Sequence, residues 1–162
     1  MTEKTSFIVE PGKPTIVIQR VFDAPRSLVF EAWTKPEHLA RWWGPRDLTL
    51  AVCEMDFRPG GAWRFVLRAP DGSDYGFDGE YREILPPERL VYTFRFDGAP
   101  GAEAVETLTF VEKDGKTTLT NTMLHTSVEN RDAHVRSGME EGVLQTMDRL
   151  AELLETISSS RR

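Results

Sequence analysis

Residues 134–157 read HVRSGMEEGVLQTMDRLAELLETI, and this stretch decides the fold. Val135, Met139, Val143, Met147, Leu150, Leu154 and Ile157 recur at three- and four-residue spacing. They therefore line one face of a helix several turns long. A stripe of that width has to bury itself against another layer. Gly138 and Gly142 interrupt its first part, and each costs up to about 1 kcal/mol relative to alanine inside a helix. Either glycine thus marks a kink or a close approach of backbone to a neighbour. Residues 159–162 are expected to form a disordered tail.

Upstream the period changes from helical to alternating. Leu48, Leu50 and Val52 alternate with Thr49, Ala51 and Cys53, and Trp63, Phe65 and Leu67 with Arg64, Val66 and Arg68. Phe77, Gly79 and Tyr81 follow, then Leu90, Tyr92, Phe94 and Phe96, then Leu108 and Phe110, and a last run from Leu119 to Leu124. Period two over several runs predicts half-buried antiparallel strands. The links agree: Asp114-Gly115 is a hairpin signal, and Pro59-Gly60-Gly61 a tight turn. Pro86-Pro87 cannot lie inside a central strand.

The run TIVIQRVF, from Thr15, predicts one earlier strand. Two short helices should follow it. SLVFEAWT has Ser27 as a candidate N-cap, and PEHLARWW opens at Pro36 and ends at Gly44-Pro45. The expected organisation is a flexible leader over residues 1–13 and a single domain over 14–158. Its class is α+β, a curved antiparallel sheet of about six to seven strands wrapped around a long C-terminal helix. A sheet so curved leaves a hollow beneath the helix.

The chain has 162 residues, 40% hydrophobic and 28% charged, which suffices for one core without covalent staples. The formal net charge of -6 disfavours nucleic acid and anionic membranes as partners. Cys53 is the one cysteine, so a reducing cytoplasm is the expected setting. No signal-peptide pattern opens the chain, and no apolar run approaches the roughly 20 residues of a membrane span.

No catalytic motif stands out. His38, His125 and His134 are not spaced as a metal pair on one helix, and there is no CxxC or GxSxG. No metal or cofactor is expected. His125, at the end of the last strand, is expected to be a partly exposed histidine near a turn. Facing a pocket, it would orient a polar ligand group or act as a general acid or base. Arg64, Arg68, Arg82 and Arg95 are expected on the solvent face. Trp33 and Trp63 suit core packing. Adjacent helical residues point about 100° apart, so Trp42 and Trp43 should divide, one capping the core and one at the cavity entrance. Cys53 reads as a small packed residue, with no base beside it in sequence. The expected cavity lining is Trp43, Trp63, Phe65, Phe77, Tyr81, Tyr92, Phe94 and His125, roofed by Met139, Val143 and Met147.

Several motifs carry a family resemblance. They are Arg20-Val-Phe-Asp-Ala-Pro25, Val29-Phe-Glu-Ala-Trp-Thr34, Trp42-Trp43-Gly44-Pro45, Phe57-Arg-Pro-Gly-Gly61 with Trp63, and Gly79-Glu-Tyr-Arg-Glu-Ile84. Thr107-Leu-Thr-Phe110, Gly138-Met139-Glu-Glu-Gly142-Val143 and Asp148-Arg149-Leu150 extend them. In this order they resemble the domain named after the C-terminal part of the activator of Hsp90 ATPase. That family belongs to the START-like, or Bet v 1-like, helix-grip superfamily, which includes polyketide cyclases. The resemblance implies a helix-grip fold across nearly the whole domain. It does not by itself imply co-chaperone activity, because the eukaryotic activator uses a further N-terminal domain. Three functions remain as expectations. The first is a non-catalytic domain binding a small hydrophobic or aromatic molecule. The others are a module regulating an Hsp90-type chaperone and a cyclase- or hydratase-like enzyme using the same cavity. Related domains often pair, which makes a homodimer a further expectation.

Overall fold

A computed structural model describes residues 4–99 and 102–160, with side chains as far as Ser158. Residues 1–3 of the expected leader and 161–162 of the expected tail lie outside the described residues. The order is β1 (Ser6–Val9), β2 (Thr15–Phe22), α1 (Arg26–Glu31), α2 (Pro36–Trp42), β3 (Thr49–Met55) and β4 (Ala62–Arg68). Then come β5 (Asp74–Leu85), β6 (Arg89–Phe96), β7 (Glu103–Lys113), β8 (Lys116–His125), α3 (Val128–Arg136) and α4 (Met139–Ser160).

The strands form one antiparallel sheet in the order β1-β2-β8-β7-β6-β5-β4-β3, open between β1 and β3. Among the described residues it has eight strands rather than six to seven. The additional one, β1, lies inside the stretch expected to be a leader. Phe7-Ile8-Val9 is apolar enough to pair, and Val9 sits opposite Ile16 at the end of the β1–β2 ladder. Pro11 and Gly12 therefore turn a hairpin instead of loosening a terminus.

The C-terminal stripe is also divided. Gly138 sits between α3 and α4 at φ +87°, a left-handed conformation that glycine adopts without a Cβ penalty. Val135 consequently belongs to α3, and the long helix begins at Met139. Gly142 stays helical, where an added Cβ would lie 3.4 Å from Pro45 Cγ. α4 continues to Ser160, two residues into the expected tail. Ser127, not anticipated, caps α3 by accepting from Asn130 N at 3.0 Å. At α1 the capping position is Pro25, with Ser27 inside the helix and no side-chain cap bond.

Helix α4 is clamped on both flanks by residues of the shared motifs. On one side Arg20 Nη1 donates to Asp148 Oδ1 at 2.6 Å. On the other, Arg149 donates to the carbonyls of Gly44 at 2.8 Å and Arg41 at 2.9 Å, at the C-terminal end of α2, where a cation meets the negative end of the helix dipole. Below these clamps Leu150, Leu153, Leu154 and Ile157 are buried with Ile16, Phe22, Leu108 and Phe110 in the closed part of the core. Above them the helix and sheet separate. No helix among the described residues is long and apolar enough to cross a membrane.

Candidate functional site

Where α4 and the sheet part, they enclose a cavity of about 830 Å³. That size lies within the range of small-molecule pockets. One wall is aromatic because inward-facing strand positions carry rings in succession. Trp63 and Phe65 come from β4, Phe77 and Tyr81 from β5, and Tyr92 and Phe94 from β6, all lining the space. Trp43 closes the wall from the end of α2, its ring edge-on to Phe65 at 5.0 Å and to Phe77 at 5.3 Å. Trp42 is fully buried at the edge of the same lining, its ring edge-on to Trp33 at 4.5 Å, and donates to Ala32 O at 3.0 Å. The two adjacent tryptophans differ in burial, Trp42 sealed in the core and Trp43 half-buried, but both border the cavity rather than dividing between core and entrance. Met139, Val143 and Met147 form the roof.

Beside Tyr92 the lining turns polar. Glu106, on β7, is 6% exposed, and its Oε1 accepts from Tyr92 Oη at 3.1 Å and Asn121 Nδ2 at 2.8 Å. Burial pushes the Glu106 carboxyl up, while its two donors pull the other way. Burial also pushes the Tyr92 phenol up, with Glu106 adding to it, and the Tyr81 phenol in the same sense. Oε1 takes both donors, so the proton of a neutral Glu106 belongs on Oε2. Arg20, 4% exposed, also lines the cavity, and its Nε is a buried donor without a partner. The Asn121 amide oxygen is a buried acceptor without one.

At a third place on the lining, two histidines meet. His125 Nε2 and His134 Nδ1 are 2.9 Å apart, and His125 Nδ1 lies 3.3 Å from Pro14 O. Burial, then the neighbouring His125, pushes His134 down to about 4. Burial lowers His125 as well, with Arg131 acting in the same direction against the Pro14 carbonyl. Both imidazoles are thus neutral at pH 7. An unfolded histidine takes a proton near pH 6.5, so between about pH 6.5 and 4 the unfolded chain binds more protons than the native one. Stability attributable to His134 is therefore complete above that window and lost as pH falls through it. Replacing His134 by phenylalanine should remove about 2 kcal/mol of the stability change between pH 7 and 4.5. Urea denaturation of both proteins across that range measures it, and parallel pH profiles would contradict it. Glu106 contributes with the opposite sign, through a raised carboxyl, and is common to both proteins.

All eleven residues expected to line a hollow do line this one. His125 is less exposed than expected, at 7%, because α3 folds over it. Arg64, Arg68, Arg82 and Arg95 lie on the outer face in ion pairs with Asp97, Asp74, Glu80 and Asp78. Cys53 is half-buried, and burial pushes its thiol up to about 11, so it is a weak nucleophile at neutral pH. The polar lining residues that were not anticipated include Arg20, Glu106, Asn121 and His134. Strand parity carries a signal for three of these four. Arg20 continues Ile16 and Ile18, Glu106 precedes Leu108 and Phe110, and Asn121 lies between Leu119 and Met123, each on the buried face. His134 had no such signal, because its direction depends on how α3 docks.

The sequence profile of activator of Hsp90 ATPase homolog 1-like protein matches residues 23–155. Comparison with curated proteins found no match. Among solved structures, a protein of Chromobacterium violaceum is 31% identical, with 87% of this chain and 97% of that one covered and a TM-score of 0.74. A Rhodobacter sphaeroides protein is 26% identical over 94% of this chain and 99% of its own, with a TM-score of 0.86. An AHSA1-like protein from Aeromonas hydrophila shares the fold at 23% identity and a TM-score of 0.69, over 89% of this chain and 94% of its own.

Proposed function

The chain belongs to the family described as activator of Hsp90 ATPase homolog 1-like protein, and on that premise we propose that it binds a small hydrophobic or aromatic molecule between sheet and α4. Family and fold support a ligand-binding or regulatory domain in general terms. The observation that carries the finer reading is the cavity of about 830 Å³, walled by aromatic rings with a buried polar cluster beside Tyr92. A filled core would have placed complementary side chains there, as it does lower down around Leu150 and Leu154. Met139 and Met147 give the roof adaptable volume.

The test is a thermal-shift and tryptophan-fluorescence screen of one- to three-ring aromatics. A ligand at a hundredfold excess over its Kd adds about 2.7 kcal/mol, or a rise in Tm of several degrees. Binding should quench Trp43 and Trp63, and Val143→Trp, which fills the roof, should abolish it while leaving the fold intact. No stabilising compound across the panel, or binding that survives the filled roof, would overturn the reading.

A further inference from the structure

Resting on that binding function, we infer that His134 Nε2 is an open hydrogen-bond acceptor of the cavity, and that the site selects aromatic molecules bearing a hydroxyl donor. The inference follows from a chain of fixed proton positions. A carbonyl oxygen accepts and never donates, so the His125 nitrogen facing Pro14 O, at 3.3 Å, must be Nδ1–H. In a neutral imidazole the other nitrogen is then an acceptor. His125 Nε2 faces His134 Nδ1 at 2.9 Å, so His134 must supply the proton between them from its own Nδ1. That leaves Nε2 of His134 with an unshared lone pair. Among the described residues this atom has no hydrogen-bond partner, and it is not one of the fully buried orphans, as Arg20 Nε and Asn121 Oδ1 are. His134 lines the cavity, and its ring lies nearly parallel to Phe94, with 6.1 Å between centroids and 18° between planes. An acceptor in the plane of a ring shelf fits an aromatic ligand whose hydroxyl lies in its own ring plane. It disfavours carboxylates, which bring only acceptors to it.

The experiment uses three probes of one shape: 2-naphthol, 2-methoxynaphthalene and 2-naphthoate. 2-Naphthol should bind about tenfold or more tightly than the ether, which lacks the donor, and naphthoate more weakly than naphthol. His134→Phe keeps a ring beside Phe94 and should erase the naphthol preference, so that naphthol and its ether bind with the same affinity. Independently of any probe, the long-range 1H–15N spectrum of the unmodified protein at pH 7 should show His125 and His134 both protonated at Nδ1. Protonation of His134 at Nε2 would overturn the inference even if His134→Phe failed to fold. Equal binding of naphthol and its ether would overturn it alone. Binding of none of the three would overturn it alone if other aromatics of the panel bind, and together with the cavity reading if none does.

Discussion

Arg131→Ala should lower the stability of the folded chain by about 3 kcal/mol, one of the largest single-residue effects expected outside the apolar core. Arg131 lies on α3 and is 3% exposed. Its Nη1 donates to the carbonyls of Glu10 at 2.9 Å, Lys13 at 2.6 Å and Thr15 at 2.9 Å. One nitrogen has two hydrogens, so three acceptors share them in forked bonds. Nε pairs with Asp132 at 2.8 Å and fixes the plane of the guanidinium. Alanine would leave the turn between β1 and β2 without its charged donor. That turn carries Pro14, whose carbonyl accepts from the backbone N–H of His125 at 2.8 Å and orients its ring. The damage should therefore extend to the histidine pair as well as to α3. In urea the midpoint should fall by about 1.5 M for a slope near 2 kcal/mol/M. Arg131→Lys should recover less than half, because an ammonium has no planar fork to reach three carbonyls at once. A loss under about 1 kcal/mol for alanine would contradict this account.

The same residue shows where reading the sequence stops. Arg131 sits in a polar helix with little periodicity, and nothing local distinguishes it from the surface Arg136 five positions on. Its role depends on a turn more than a hundred residues away. By contrast, the apolar lining was legible because strand alternation assigns faces by counting: Trp63 and Phe65, or Tyr92 and Phe94, have to share a side. The same counting also puts Arg64 and Arg68 on the outer face. Extended to Glu106 and Asn121, it would have placed a carboxyl and an amide on the buried face and revealed the polar cluster of the cavity. The break at Gly138 was readable as one of two alternatives, since glycine spacing does not say which of two glycines takes the positive φ. β1 was missed because four residues between a terminus and a Pro-Gly pair look the same whether they pair with a neighbour or not. The arginine and aspartate that clamp α4 were visible within motifs, yet their pairing across 128 positions was not.

Gly79→Ala is the second large effect, and it bears directly on the aromatic wall. Gly79 lies opposite Trp63 in the β4–β5 ladder. A Cβ built there overlaps the Thr93 carbonyl oxygen and comes within 2.6 Å of Trp63 Nε1. These two atoms are themselves joined, the indole N–H donating to Thr93 O at 3.2 Å, so the bond passes directly over the bare Cα of Gly79. Next to it Glu80 N donates to Thr93 Oγ1 at 2.9 Å, where the side chain stands in for a ladder carbonyl. One methyl group would have to part β5 from β6 and break the Trp63 bond. The expected cost is about 3 kcal/mol, with loss of the hydrogen-bonded Trp63 indole resonance and of aromatic-ligand binding. The double variant Gly79→Ala with Trp63→Phe separates the two obstacles. Thr93 O is backbone and cannot rotate aside, so shrinking the indole should restore only a small part of the stability. Full rescue would mean that the indole alone sets the requirement for glycine. Little or no rescue would mean that the wall is built on the close approach of two strands, with Trp63 secured across the gap that only glycine leaves open.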